Sequence, residues 1–244
     1  MAVTYNSDIV TDGLLMCLDA ANIKSYPGTG STWTDLIDSV NNKPSLAGTV
    51  TYSNNSFVFN GVAGSYFFDS VISLPNISAA TALTILCWCK PDSTGPVNSY
   101  TGLIAFGGST NSTPSDAVLL CLNTTAATWY VGSAYWNNDY NPSNLSVVKD
   151  AWNMVGIIAR SAATTNNTTL ISGNSTGVTT TTGSSSVYTR GLAATQVNLR
   201  VGSADSNGAR PMKGEIAVVL VYNRELTTDE INQNFNAARG RFGI

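Results

Sequence analysis

The 244-residue chain carries 12 Lys or Arg, 15 Asp or Glu and no His, and only 11% of its residues are charged, against roughly 25% in an average soluble domain. Nucleic acid and anionic membrane surfaces are met by clustered Lys and Arg; with a net charge of -3 and basic residues scattered singly, neither is expected as a partner. The missing histidine removes Ser-His-Asp and Cys-His nucleophiles, the usual proton shuttle and the commonest zinc ligand, so any catalysis would rest on carboxylates.

About a third of the residues are Ser, Thr or Asn, which predicts a surface solvated by hydroxyls and amides. The length suits a single domain, expected over residues 12–244 behind an N-terminal arm at 1–11. No apolar run approaches a membrane span, and the opening MAVTYNSDIVTDG has neither a basic segment nor an apolar one, so synthesis in a cytoplasm without a signal peptide is expected.

In chain order, short apolar runs read as strands at 14–18, at 57–59 and 66–68 on either side of an Asn60-Gly61 turn, and at 83–89, where Pro91 follows. Further runs lie at 102–106, 117–122, 128–131, 152–159, 168–172 and 197–201, then a long one at 215–222. Between them, stretches such as 91–100 and 107–116 are dense in turn-forming Gly, Asn, Ser, Thr and Pro. Residues 161–190 have the composition of a linker. Their β-branched Thr, with Leu170, Ile171, Val178 and Val187 spaced as a hairpin needs, predicts two thin strands instead.

One helix is expected, near the C-terminus. Thr227-Thr228-Asp229-Glu230 forms a capping box, Ile231, Phe235 and Ala238 make a narrow apolar stripe, and Gly240 is placed as the terminator. Many short strands and one terminal helix, without βαβ alternation, define the fold class as all-β: a two-sheet antiparallel jelly-roll sandwich with one short C-terminal helix. Cys17, Cys87, Cys89 and Cys121 all sit inside apolar runs with no Cys-x-x-Cys spacing, so they are expected as free core residues rather than disulfides or a metal cluster.

The segments Asp12-Gly13-Leu14, Phe57-Val58-Phe59-Asn60-Gly61, Leu83 to Pro91 and Gly214 to Ile231 follow one another in an order that resembles the concanavalin A-like, laminin G-like domains. The opening Asp-Gly-Leu and the closing Asn-Phe-Asn-Ala-Ala-Arg-Gly-Arg-Phe-Gly are similar to versions found in virion proteins of tailed bacteriophages, notably cyanophages. The resemblance covers 12–244 and implies a non-enzymatic virion structural protein, a capsid decoration or a tail or fibre component. Its partners would be other virion proteins, in an oligomeric assembly, and its location the virion. A carbohydrate-binding, lectin-like adhesin on a cell-surface glycan is the alternative, and a glycoside hydrolase a weaker one.

Glycoside hydrolysis needs two facing carboxylates. The chain has only Glu215, Glu225 and Glu230 as glutamates and lacks the Glu-x-Asp-x-x-Glu or Glu-x-Asp-x-Glu strand of the fold's glucanases. Asp19, Asp35 and Asp38 read as turn and loop acids. No catalytic residue is therefore expected. The richest ligand patch is the run 128–144, in which Trp129, Tyr130, Tyr135, Trp136 and Tyr140 alternate with Asn137, Asn138, Asp139 and Asn141. Rings for stacking beside planar amides suit a neutral glycan. The candidate contact residues are Tyr135, Trp136, Asn137, Asn138, Asp139 and Tyr140; a protein contact, or core packing by Trp129 and Tyr130 with the rest covering a sheet edge, fits the same residues. The resemblance raises calcium, for which Asn137 to Asp139 or Asp205-Ser206-Asn207 could serve. Neither matches a known loop spacing, 205–208 reads as a hairpin turn, and no metal or other cofactor is expected.

Overall fold

The computed structural model describes residues 9–74, 82–97, 100–106, 118–124, 127–134, 142, 144–160, 167–183, 196–204, 208 and 210–244. Two antiparallel sheets face each other. The first runs, in spatial order, β13 (Gly177–Gly183), β12 (Thr168–Asn174), β11 (Asn153–Ala159), β6 (Leu83–Pro91), β15 (Lys213–Tyr222), β4 (Ser56–Asn60) and β3 (Val50–Ser53), and β1 (Leu14–Asp19) also pairs with β15. The second runs β10 (Ser146–Val147), β9 (Trp129–Ala134), β8 (Val118–Asn123), β7 (Thr101–Phe106), β14 (Gln196–Val201), β5 (Tyr66–Ser73) and β2 (Ser45–Ala47). The sandwich expected from the sequence is therefore present.

The continuous apolar runs have a physical cause. In β6, Ile85, Cys87 and Cys89 point into the core between the sheets, whereas Leu86 and Trp88 belong to a second buried layer on the outer face of the first sheet. Strands buried on both faces lose the alternation of a half-exposed strand, and β11 and β15 are built the same way. The second layer lies under α1 (Thr228–Phe242) and the segment around Val10. Val10 donates its N–H to Asn234 Oδ1 at 2.9 Å and accepts from the Tyr222 hydroxyl at 3.0 Å, so the end of the segment expected as an arm is packed against strand and helix.

The capping box forms as expected: Thr227 Oγ1 accepts from the Glu230 N–H, and Glu230 Oε2 accepts from the Thr227 N–H. The C-terminus differs. Gly240 lies inside the helix, which runs to Phe242 and is closed by Gly243 in the left-handed region at φ 72°. Phe242 is the reason, because its ring stacks on Trp88 at 4.4 Å and meets Trp152 at 4.5 Å. Burying part of that ring contributes about 1–2 kcal/mol and offsets the roughly 1 kcal/mol cost of a mid-helix glycine. The helix therefore lies across the outer face of the first sheet, where the stripe alone predicts a one-turn-shorter element.

The Asn60-Gly61 pair is not a hairpin turn. Strands β4 and β5 belong to different sheets, and Gly61, at φ 77°, donates its N–H to Met212 O at 3.0 Å where the chain crosses between them. The hairpin sits one strand earlier, between β3 and β4, where Asn54 and Asn55 adopt φ 50° and 64°, the left-handed pair that matches strand twist. Strands β2, β3 and β10, of three, four and two residues, carry too little apolar pattern to be expected. The hairpin in the Thr-rich segment is β12–β13; Val187 lies outside the described residues.

All four cysteines are free and buried. Burial, with Cys89 alongside, pushes the Cys87 thiol well up, away from the thiolate that reacts. In the native protein a chromogenic disulfide reagent is expected to titrate none of the four thiols, and all four after unfolding in denaturant.

Candidate functional site

The central strands of the first sheet are covered on their outer face by α1 and the segment around Val10; the outer face of the second sheet carries no helix among the described residues. Its residues follow from the alternation of each strand. Phe67, Leu199, Val201, Leu120, Leu122, Trp129 and Val131 enter the core, so their neighbours Tyr66, Phe68, Arg200, Leu119, Cys121 and Tyr130 point the other way. The register aligns Phe68, Arg200, Ala105 and Leu119 in one row across β5, β14, β7 and β8.

Arg200 is only 3% exposed, and its guanidinium lies over the Phe68 ring at 5.4 Å, with Tyr66 edge-on to Phe68 at 6.3 Å. Ala105, Leu119 and Cys121 form a small buried apolar cluster against which Tyr100 and Ala204 pack, and Arg210 sits over the Tyr100 ring at 5.4 Å. Toward the far side, Asn123 and Tyr130 are register partners, both half-buried. The partly exposed groups of this face are thus the rings of Tyr66, Phe68 and Tyr130 and the amide of Asn123, a set suited to neutral polar ligands.

The six residues singled out in the sequence, Tyr135, Trp136, Asn137, Asn138, Asp139 and Tyr140, lie outside the described residues, as do the calcium candidates at 137–139 and 205–207. The two aromatics just before them separate. Trp129 packs in the core with Lys149 Nζ over its ring at 4.6 Å, whereas Tyr130 turns to the outer face. Arg200 is the functional candidate that sequence reasoning missed. Its signal is the alternation Val197, Leu199, Val201, which requires the residues between them to face outward.

The glutamates all have structural partners. Glu215 holds Lys90 Nζ at 3.2 Å and accepts from Ser56 Oγ at 2.6 Å; Glu225 pairs with Arg160. Glu230 takes both arms of the Arg224 guanidinium at 2.9 and 2.6 Å, which, with the Thr227 amide, pulls its carboxyl down to about 2. A lowered carboxyl stabilises the fold above its ordinary value near 4.5 and loses that contribution as pH falls toward 2. In Glu230→Gln the acid limb of a stability-versus-pH curve is therefore expected to flatten between pH about 4.5 and 2, by no more than about 1 kcal/mol for so accessible a pair. Among the described residues, no three of His, Cys, Asp and Glu cluster closely enough to hold a metal ion.

These features define a two-sheet β-sandwich of the concanavalin A-like kind, with a helix covering the central strands of one sheet. The chain belongs to the concanavalin A-like lectin/glucanases superfamily, whose laminin G-type profile matches residues 63–232. No curated protein matches the sequence. Among solved structures, the fold is similar to Trypanosoma rangeli sialidase in complex with sialic acid (TM-score 0.61, 18% identity, 95% of this chain and 34% of that one). It is also similar to domain 4 of AbnA, an extracellular GH43 arabinanase from Geobacillus stearothermophilus, in complex with arabinotriose (TM-score 0.60, 14% identity, 92% and 98% covered). The chain spans about a third of the length of the sialidase it matches.

Proposed function

We propose that the protein is a non-catalytic, carbohydrate-binding lectin-like module, with the outer face of the second sheet and the residues Tyr135 to Tyr140 as its glycan-contacting surface. The observation that carries this reading is that Tyr66, Phe68, Asn123 and Tyr130 lie partly exposed on the outer face of the second sheet, whereas a helix and the segment around Val10 cover the central strands of the first. The arabinanase domain of matching size, solved with arabinotriose, supports it. The engagement of all three glutamates in ion pairs favours binding over hydrolysis.

A glycan array that includes arabino-oligosaccharides and sialosides, followed by calorimetry on the best ligand, tests the proposal. Trp136→Ala is expected to abolish binding and Tyr130→Ala to weaken it about tenfold, the loss of one stacked ring, with far-UV circular dichroism unchanged. A blank array overturns the reading.

The setting we propose for the module is the surface of a tailed-phage virion, as a capsid decoration or a tail or fibre component. Its support is the resemblance of the opening and closing segments to such proteins, and adhesion to a host glycan is compatible with it. Peptide mass spectrometry of purified virions is expected to find the chain; its absence there removes this setting and leaves the binding proposal standing.

A further inference from the structure

A sheet edge presents unpaired backbone groups, and proteins shorten, charge, bulge or cover such edges to prevent pairing. Among the described residues, three of the four outer edges are short: β3 has four residues, β2 three and β10 two. The open side of β1 is covered as well, since Asp35 Oδ1 accepts from the Cys17 N–H at 2.8 Å and the Leu36 N–H donates to Cys17 O at 2.9 Å. Among the described residues, strand β13 has none of these protections. It runs seven residues in unbroken register with β12, contains no charge and no proline, and exposes Thr179, Thr180 and Thr182.

The groups it presents follow from the hairpin. Asn174 and Gly177 close a two-residue loop, so they form its first hydrogen-bonded pair. Bonding then alternates along the ladder, and Val178, Thr180 and Thr182 direct their N–H and C=O groups to the open side. The sequence Gly177-Val178-Thr179-Thr180-Thr181-Thr182-Gly183 is nearly palindromic about Thr180. Laid antiparallel on a copy of itself, it sets Gly opposite Gly, Thr179 opposite Thr181 and Thr180 opposite Thr180. Facing Thr residues are a favourable cross-strand pair, and nothing in the strand repels its copy.

We propose that β13 pairs with β13 of a second copy of this chain about a twofold axis through Thr180, joining the two first sheets into one continuous sheet. The contact is isologous and closes on itself. Because the axis stands perpendicular to the sheet, both second sheets lie on the same side. If the glycan reading above holds, the dimer turns two ligand faces toward one surface and gains avidity.

The test is the mass in solution, which does not depend on any sugar. Light scattering behind gel filtration and sedimentation velocity, over a wide range of concentration, are expected to give twice the mass of one chain. Thr180→Pro removes an N–H that the single chain leaves unpaired, as edge strands tolerate, and Thr180→Lys sets two like charges face to face. Each is expected to raise the dimer dissociation constant by about a hundredfold or more, with far-UV circular dichroism unchanged. If Thr180→Pro fails to fold, Thr180→Lys decides. A wild-type protein that stays monomeric at all concentrations, or a dimer that Thr180→Lys leaves intact, overturns the proposal.

Discussion

Asp35→Ala is expected to lower the unfolding free energy by about 3–5 kcal/mol, read from the midpoint of urea denaturation at unchanged slope. Asp35 is fully buried, yet its carboxylate accepts four hydrogen bonds: Cys17 N at 2.8 Å and Ile37 N at 3.0 Å on Oδ1, Asp38 N at 3.2 Å and Asn42 Nδ2 at 2.9 Å on Oδ2. Burial pushes the carboxyl above its ordinary range and the four donors pull it back only in part. The group is thus a cost in itself and a necessity for its neighbours. Alanine takes this acceptor from two buried donors, the Cys17 N–H and the Asn42 amide, and from the part-buried Ile37 and Asp38 N–H groups, and loosens the loop that shields β1. Asparagine keeps one oxygen but turns an amino group toward the Asp38 N–H and Asn42, so Asp35→Asn is expected to lose about 1–3 kcal/mol. Because a raised carboxyl disfavours its ionised form, the cost of Asp35 appears as pH rises through its folded pKa and is absent below the unfolded value. The loss in Asp35→Ala should therefore be somewhat smaller at neutral pH than the four lost bonds alone imply.

Much of this architecture was legible from residue patterns, and the exceptions share a cause. The runs that became β6, β11 and β15 were plain because burial on both faces leaves only apolar residues. The capping box was plain because its chemistry is local to four residues. What failed was decided by distant partners. Gly240 looked like a terminator until Phe242 found Trp88, 154 positions away in the sequence. Asn60-Gly61 looked like a hairpin because a sequence does not say that β4 and β5 enter different sheets. The short edge strands hold their places through partner hydrogen bonds rather than their own apolar residues. The aromatic run draws attention to residues 135–140, while Arg200, the one charged residue of the Gln196–Val201 strand, carries no such compositional signal. Composition marks stacking platforms readily; a buried cation on a sheet face shows only when neighbouring strands are aligned in register.

Trp88→Ala is expected to cost about 3–5 kcal/mol in the same denaturation measurement, and to do so without touching ligand binding. The indole is 1% exposed and stacks on two rings of α1, Phe235 at 5.6 Å with planes 8° apart and Phe242 at 4.4 Å with planes 20° apart. Arg239 and Arg241 lie over those rings at 5.3 and 5.0 Å, so one truncation leaves a cavity under the whole C-terminal half of the helix. Trp88→Phe retains one stacking plane and should lose roughly half as much. The contrast with Tyr130 separates the two faces of the molecule. Tyr130→Ala, half-exposed on the opposite sheet, should change stability by no more than about 0.5 kcal/mol while weakening sugar binding. Trp88→Ala, separated from it by the full thickness of the sandwich, should leave the dissociation constant within about twofold of wild type under folding conditions. Equal loss of binding in both variants would mean that the helix-covered sheet, and not the face bearing Tyr130 and Arg200, governs the ligand site.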